Sequence, residues 1–244
     1  MTNQPLLGKS ALVTGGARRL GRSIALALAE AGADVAITFR NSAAEAAETA
    51  SEIENLGRRA LAVKCDVRSE ASVRAAVAAV AGQFGRLDLV VNNAAVFQSA
   101  PLDSLTLDQW DEVFETNARG PFLVAREALP HLRAAKGRIV NIGSLGGIKA
   151  WATHAHYCAS KAALHMLTQA MAKTFAPEVS VNCVAPGWIE FEESDDWQAA
   201  HFSQKTPMQR NGNVDDVAQT VLFFAAGPHF ITGQILTVDG GLGL

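Results

Sequence analysis

A chain of 244 residues with 49% hydrophobic and 18% charged residues is long enough for one large α/β domain and too apolar to remain unfolded. Its net charge of −3 and pI near 6.1 give no support for a nucleic-acid-binding protein. Its cysteines, Cys65, Cys158 and Cys183, are scattered and odd in number, show no disulfide framework or metal-ligand spacing, and fit a reducing cytosol.

The start, Met1-Thr2-Asn3-Gln4-Pro5, lacks a basic region followed by an apolar core, and no apolar run is long enough to cross a bilayer. A cytoplasmic protein is expected. Ser10-Ala11-Leu12-Val13 is a short apolar run ending at Gly15-Gly16, and it predicts a first buried strand. From Arg19 to Ala31, Leu20, Ile24 and Leu28 recur at helical spacing until Gly32. Val35 to Phe39 is the next strand, and alanine-rich Ala43 to Leu56 is a helix stopped by Gly57. Ala60 to Val63 is a third strand, and Ser69-Glu70 opens a helix running to about Phe84. Leu87 to Val91 is a fourth strand.

Leu107 to Leu132 predicts a long helical region with a break near Gly120-Pro121. Gly137 to Ile142 is a further strand, followed by Ser144. A helix then carries Tyr157-Cys158-Ala159-Ser160-Lys161, and Val179 to Val184 is a strand ending at Ala185-Pro186-Gly187. Residues 188–210 lose clear periodicity and mix acidic residues, Glu193 among them, with Trp188, Phe191, Trp197 and Phe202. A segment of that kind is either a lid or an exposed acidic surface. Asp215 to Ala226 is helical and Gln234 to Val238 is a last strand. The alternation implies a doubly wound parallel sheet of the Rossmann type, in one domain spanning 1–244.

Several stretches carry chemistry. A glycine-rich turn before a helix lets a backbone approach a pyrophosphate, and the helix start offers N–H groups. Gly15, Arg18, Arg19, Leu20 and Gly21 form that turn here, with Arg19 where the dinucleotide fingerprint has a glycine. After the second strand, Arg40, Asn41 and Ser42 stand where an acidic residue would bind a ribose hydroxyl, so a 2′-phosphate and NADP(H) are expected. Phe97 follows the fourth strand and is either core or a stacking surface for a flat ligand. Tyr157 and Lys161 share one face of a helix, and the ammonium is expected to lower the phenol toward neutrality. Ser144 is expected to aim its hydroxyl at the same point. His154 and His156 flank the site as pocket or packing residues, with no third ligand at metal spacing.

These motifs resemble the short-chain dehydrogenase/reductase family over nearly the whole chain. The resemblance implies that Asn117, Ser144, Tyr157 and Lys161 are the catalytic positions. Tyr157 would be the general acid, Lys161 would hold the nicotinamide ribose, Ser144 would bind the substrate, and Asn117 would distort its helix and hold a water. Asp66 and Val67, Asn93, Ala94 and Ala95 of the Asn-Asn-Ala turn, and Pro186, Gly187 and Ile189 match further cofactor positions. Asp66 reads equally as an N-cap. Residues 188–210 match the substrate loop, and a homotetramer is implied. Within the family, Arg19, the run from Arg40 to Ala46 and Phe97 resemble the pteridine reductases, with Arg19, Phe97, Ser144, Tyr157 and Trp188 toward the substrate. Ala95 and Ser144 depart from that branch, which usually has serine and often aspartate there. A 3-oxoacyl-thioester or other ketone reductase is the alternative, and an NADP-sensing protein without catalysis a third reading.

Overall fold

Most of the short apolar runs form strands buried on both faces, and the longer alanine-rich runs between them form helices. The structure, a computed structural model, describes residues 4–192 and 194–244. The readings made on Met1–Asn3 and Glu193 lie outside the described residues. In chain order the elements are β1 (Ser10–Val13), α1 (Arg19–Glu30), β2 (Asp34–Phe39), α2 (Ala43–Asn55), β3 (Ala60–Lys64), α3 (Glu70–Phe84) and β4 (Leu89–Asn92). There follow α4 (Leu107–Phe114), a π turn (Glu115–Arg119), α5 (Gly120–Ala135), β5 (Arg138–Ile142), a 3-10 turn (Leu145–Gly147) and α6 (Ala155–Phe175). The chain closes with β6 (Ser180–Pro186), α7 (Asp196–Lys205), α8 (Val214–Ala226) and β7 (Ile235–Val238).

The strands form one 7-stranded sheet in the order β3-β2-β1-β4-β5-β6-β7, every pair parallel. Leu12 lies opposite Val90, and Val91 opposite Val140. The chain winds outward from β1 to β3 and then restarts at β4 on the other side. The carboxyl ends of β1 and β4 therefore flank the crevice where a doubly wound sheet binds its ligand.

Successive strand residues face opposite layers. Val13, Val35, Ile37 and Val91 meet Ile24 and Leu28 of α1 and Val221 and Phe224 of α8. Leu12, Val90, Ile139 and Val181 meet Val77 of α3, Leu132 of α5 and Met171 of α6. Each such side chain contributes roughly 1.5–3 kcal/mol on burial, so both layers are needed to hold the sheet. At the edge away from the crevice, Asp88 clasps the starts of β1 and β4. It accepts the Ser10 N–H at 3.0 Å and two Arg86 bonds at 2.6 Å, and Lys9 stands at 3.3 Å.

The helical region breaks directly before Gly120-Pro121, in the π turn Glu115–Arg119 that holds Asn117. Pro121 has no N–H to give the Asn117 carbonyl four residues back, so the α-type ladder is interrupted upstream of the proline. The stretch 188–210 is not wholly irregular, because α7 occupies Asp196–Lys205. Strand and helix ends elsewhere shift by one or two residues, as boundary residues do. Among the described residues, no helix is long and apolar enough to cross a membrane, and no group of His, Cys, Asp and Glu could hold a metal.

Candidate active site

The turn after β1 is built by a clamp. Asn93 donates from Nδ2 to the carbonyls of Thr14 and Gly15, each at 3.0 Å. Thr14 Oγ1 accepts the N–H groups of Asn93 and Ala94 at 3.0 and 3.1 Å. Gly15 has φ +63°, and a Cβ on Gly21 would run into the Gly15 carbonyl. Arg19 also has a positive φ, +51°, which is the physical reason a glycine would be at ease there. Its guanidinium lies 5.5 Å over the Phe191 ring. Leu20 packs against the core, and Arg18, the N-cap of α1, gives the helix no side-chain cap.

At the end of β2, Arg40 is half-exposed and 3.8 Å from Glu112. Ser42 is the N-cap of α2 with no capping bond, and Asn41 beside it is exposed. Asp66 is not an N-cap: Ser69 caps α3, accepting the Ser72 N–H at 3.3 Å. Asp66 instead holds Arg68 at 2.6 Å, and that bond keeps its carboxyl below the usual range. Val67 is buried and lies against Gly120 at the start of α5.

The reacting side chains meet at the carboxyl edge of β4 and β5. Asn117 is fully buried, and its side chain is consumed in pinning the loop after β4. It accepts the Val96 N–H at 2.8 Å and donates to the Val96 carbonyl at 2.9 Å and to Ser160 Oγ at 3.1 Å. Ser144 follows β5 with extended backbone; its hydroxyl accepts the Gly146 N–H at 3.0 Å and pairs with Tyr157. Lys161 is buried and donates to the Ile142 carbonyl at 2.7 Å.

The expected lowering of the Tyr157 phenol does not occur here. Burial pushes it up to about 12, and the hydrogen bond with Ser144 offsets only part of that. The Lys161 ammonium is spent on Ile142 and stands 5.8 Å from the ring centre, so its charge does not overcome desolvation. Burial also pulls Lys161 down to about 8.

Rings enclose the phenol. Phe97 meets Tyr157 edge-on at 4.8 Å and stacks on His154 at 4.6 Å, and Trp151 stacks on Tyr157 at 6.1 Å. Phe97 is 59% exposed, so it is a surface ring and not core. His154 is thus a pocket residue, whereas His156 is completely buried. Trp151 was missed by sequence reasoning; its one signal was its place in the loop between Ser144 and Tyr157. Trp188 stacks on Phe202 of α7 at 4.2 Å and so anchors the segment 188–210 to its own helix. Pro186 ends β6, Gly187 abuts Asp239, and Ile189 is buried and bridged to Gly212.

A dinucleotide fits this arrangement. The glycine turn leaves room for backbone approach, α1 starts beside it, and Arg40 and Ser42 stand at the neighbouring strand end.

A family model described as enoyl-(acyl carrier protein) reductase matches residues 15–243. A 3-oxoacyl-[acyl-carrier-protein] reductase, FabG, of Staphylococcus aureus is 38% identical over 240 residues, 96% of this chain and 98% of that protein. The short-chain dehydrogenase/reductase FrzI of Cladobotryum sp. is 38% identical over 250 residues, 97% of this chain and 96% of that protein. Among solved structures, a short chain dehydrogenase from Burkholderia cenocepacia in complex with NADP is 42% identical, with a TM-score of 0.93, 98% of this chain and 100% of that one. A blue fluorescent protein from a metagenomic library in complex with NADPH is 36% identical at a TM-score of 0.93, covering 99% of this chain and 100% of that one.

Proposed function

The chain belongs to the short-chain dehydrogenase/reductase family, and on that premise we propose that it reduces a ketone carbonyl with NADPH, Tyr157 giving the proton. The observation that carries the reading is the meeting of Ser144, Tyr157 and Lys161 at the crevice, with the Ser144 hydroxyl beside the phenol and Lys161 one helical turn from Tyr157. NADPH when bound supplies the hydride, chemistry that no side chain here provides. Gly15, Arg18, Gly21 and Asn93 shape the turn for its pyrophosphate, and Arg40 and Ser42 take its 2′-phosphate. Ser144 holds the carbonyl oxygen of the substrate. Tyr157, a protonated phenol at neutral pH, donates its proton to that oxygen as charge develops on it. The products are an alcohol and a phenolate, which Lys161 stabilises until it is reprotonated.

A 3-oxoacyl thioester or another ketone is the favoured substrate, on the similarity to FabG. A pterin or dihydropterin is the second reading, favoured by the rings of Phe97, Trp151 and His154 around the phenol. A planar bicycle there gains roughly 0.5–1.5 kcal/mol from stacking beyond its buried area. The deciding experiment follows NADPH absorbance with an acetoacetyl thioester, simple diketones, biopterin, dihydrobiopterin and dihydrofolate. Turnover of the thioester or ketones alone removes the pterin reading. Turnover of pterins alone removes the ketone reading, and no turnover of any of them leaves the NADP-sensing reading in place.

Residues 188–210, including α7, would cover the substrate. A homotetramer is proposed too. The apolar groove of about 240 Å³ between α5 and α6, lined by Phe122, Leu129, Leu167 and Met171, offers a face for another copy. Light scattering checks the mass. The buried free thiols of Cys65, Cys158 and Cys183 suit the cytoplasm.

A further inference from the structure

His165 lies on α6, one turn beyond Lys161, and no role described so far uses it. We infer that it is a positioning residue for the reduction: its imidazole, wedged between Gly143 and Gly147, holds the Ser144 backbone so that the Ser144 hydroxyl meets Tyr157. The inference rests on the reading of Ser144 and Tyr157 as the reacting pair.

Two glycines admit the ring. A Cβ on Gly143 would run into His165 Nε2, and one on Gly147 would stand 2.6 Å from His165 Cε1. Between them, the Ser144 N–H donates to His165 Nε2 at 3.4 Å. Ser144 is 4% exposed and His165 8%, so solvent is a poor substitute for that acceptor. The same loop is tied by the Gly143 N–H to the Val184 carbonyl at 2.7 Å and by the Gly146 N–H to Ser144 Oγ at 3.0 Å. The imidazole is thus the third hold on a short loop that aims one hydroxyl. An Nε2 that accepts must be unprotonated, with the proton on Nδ1. The groups around it keep it so. Burial and the charge of Lys161 pull His165 down to about 4, and Cys183 on β6 is pushed up to about 12, a neutral thiol. Tyr157, also on α6, is a neutral phenol.

The test compares His165→Leu with His165→Gln, whose Oε1 can reach toward the place of Nε2. The assay uses whichever ketone, thioester or dihydropterin the parent reduces. His165→Leu is expected to lower kcat roughly 10- to 100-fold, with KM and NADPH affinity unchanged, and His165→Gln to recover most of the rate. In a Ser144→Ala background, His165→Leu should have no further effect. Nitrogen-15 spectra of the parent should show an unprotonated Nε2 and a protonated Nδ1 at His165, a readout independent of turnover. If no compound is reduced, the reaction reading fails while the spectrum still decides the geometry. Equal losses in the two variants, full additivity with Ser144→Ala, or a protonated Nε2 would each overturn the inference. Should His165→Leu not fold, the Gln variant and the spectrum decide.

Discussion

The Lys161 ammonium stands 5.8 Å from the centre of the Tyr157 ring and is bonded to the Ile142 carbonyl instead. Burial moves the two groups in opposite directions, pushing the phenol up to about 12 and the ammonium down to about 8. Reduction needs the phenol protonated and the ammonium charged. The phenol keeps its proton well past neutrality, so the first alkaline loss belongs to Lys161. We expect kcat/KM for reduction to be full below about pH 8 and to fall above it. Lys161→Arg should move the limb upward. A profile flat to pH 10 would count against the assignment.

Tyr157→Phe removes the phenol that stands beside the Ser144 hydroxyl. The rate should fall by about 10²–10⁴-fold, the usual worth of a positioned acid. NADPH affinity, measured by fluorescence titration, should be nearly unchanged. Comparable turnover in the variant and the parent would refute the role of Tyr157.

NADPH should be strongly preferred over NADH. Arg40 is half-exposed and bound only distantly to Glu112, at 3.8 Å, so it can turn to a phosphate. Arg40→Asp replaces a charge-assisted bond with repulsion and should weaken NADPH binding by at least about tenfold. Equal affinity of the parent for both cofactors by calorimetry would overturn the assignment.

Phe97→Ala opens the ring enclosure. For a planar substrate KM should rise roughly 2- to 10-fold, the equivalent of one aromatic contact. For a short aliphatic ketone it should barely move. The same variant thus reports which substrate class the rings serve.

Asp88 sits far from the chemistry and serves stability. Burial opposes its charge, but the Arg86 bonds and the Ser10 N–H outweigh that and hold its carboxyl below the usual range. A depressed carboxyl contributes stability above its unfolded value, about pH 3.9, and loses it as pH falls through the folded value. Asp88→Asn should cost about 1–3 kcal/mol near neutrality, because the Ser10 N–H and Arg86 lose their charged acceptor. Thermal unfolding should show that penalty shrinking below pH 4, in the parent's own acid limb. A constant difference down to pH 2 would contradict the assignment.

Strand–helix alternation was legible because parallel strands buried on both faces read as plain apolar runs. Gly15, Gly21, Tyr157 and Lys161 were legible for the same kind of reason, since each chemistry demands one residue type at one spacing. The break before Gly120-Pro121 was legible from the proline, but its π-turn geometry was not, because the missing N–H acts four residues earlier, at the Asn117 carbonyl. Helix α7 buries no side chain, so it left no apolar stripe to read. Trp151 comes from a loop without periodicity, and its stacking on Tyr157 could not be read from spacing. The Tyr157 phenol was misjudged because four-residue spacing gives a shared face but not the direction of the Lys161 head, nor the depth of burial.

Arg19 keeps its left-handed backbone at a cost of roughly 1–2 kcal/mol for a residue with a Cβ. A glycine would be free of that strain, yet it makes the unfolded chain looser by about 0.5–1 kcal/mol. The strain is the larger of the two, so a glycine there would be neutral to slightly stabilising. Asparagine would be strained less than the arginine and a β-branched side chain more, and proline cannot adopt this φ. Position 19 is therefore one at which the backbone selects for residues at ease in the left-handed region, and the arginine stands there against that preference. Glycine and asparagine are thus the substitutions that would remove the charge at the mouth of the crevice with the least loss of folded protein, which makes them the natural starting point for changing what this scaffold accepts.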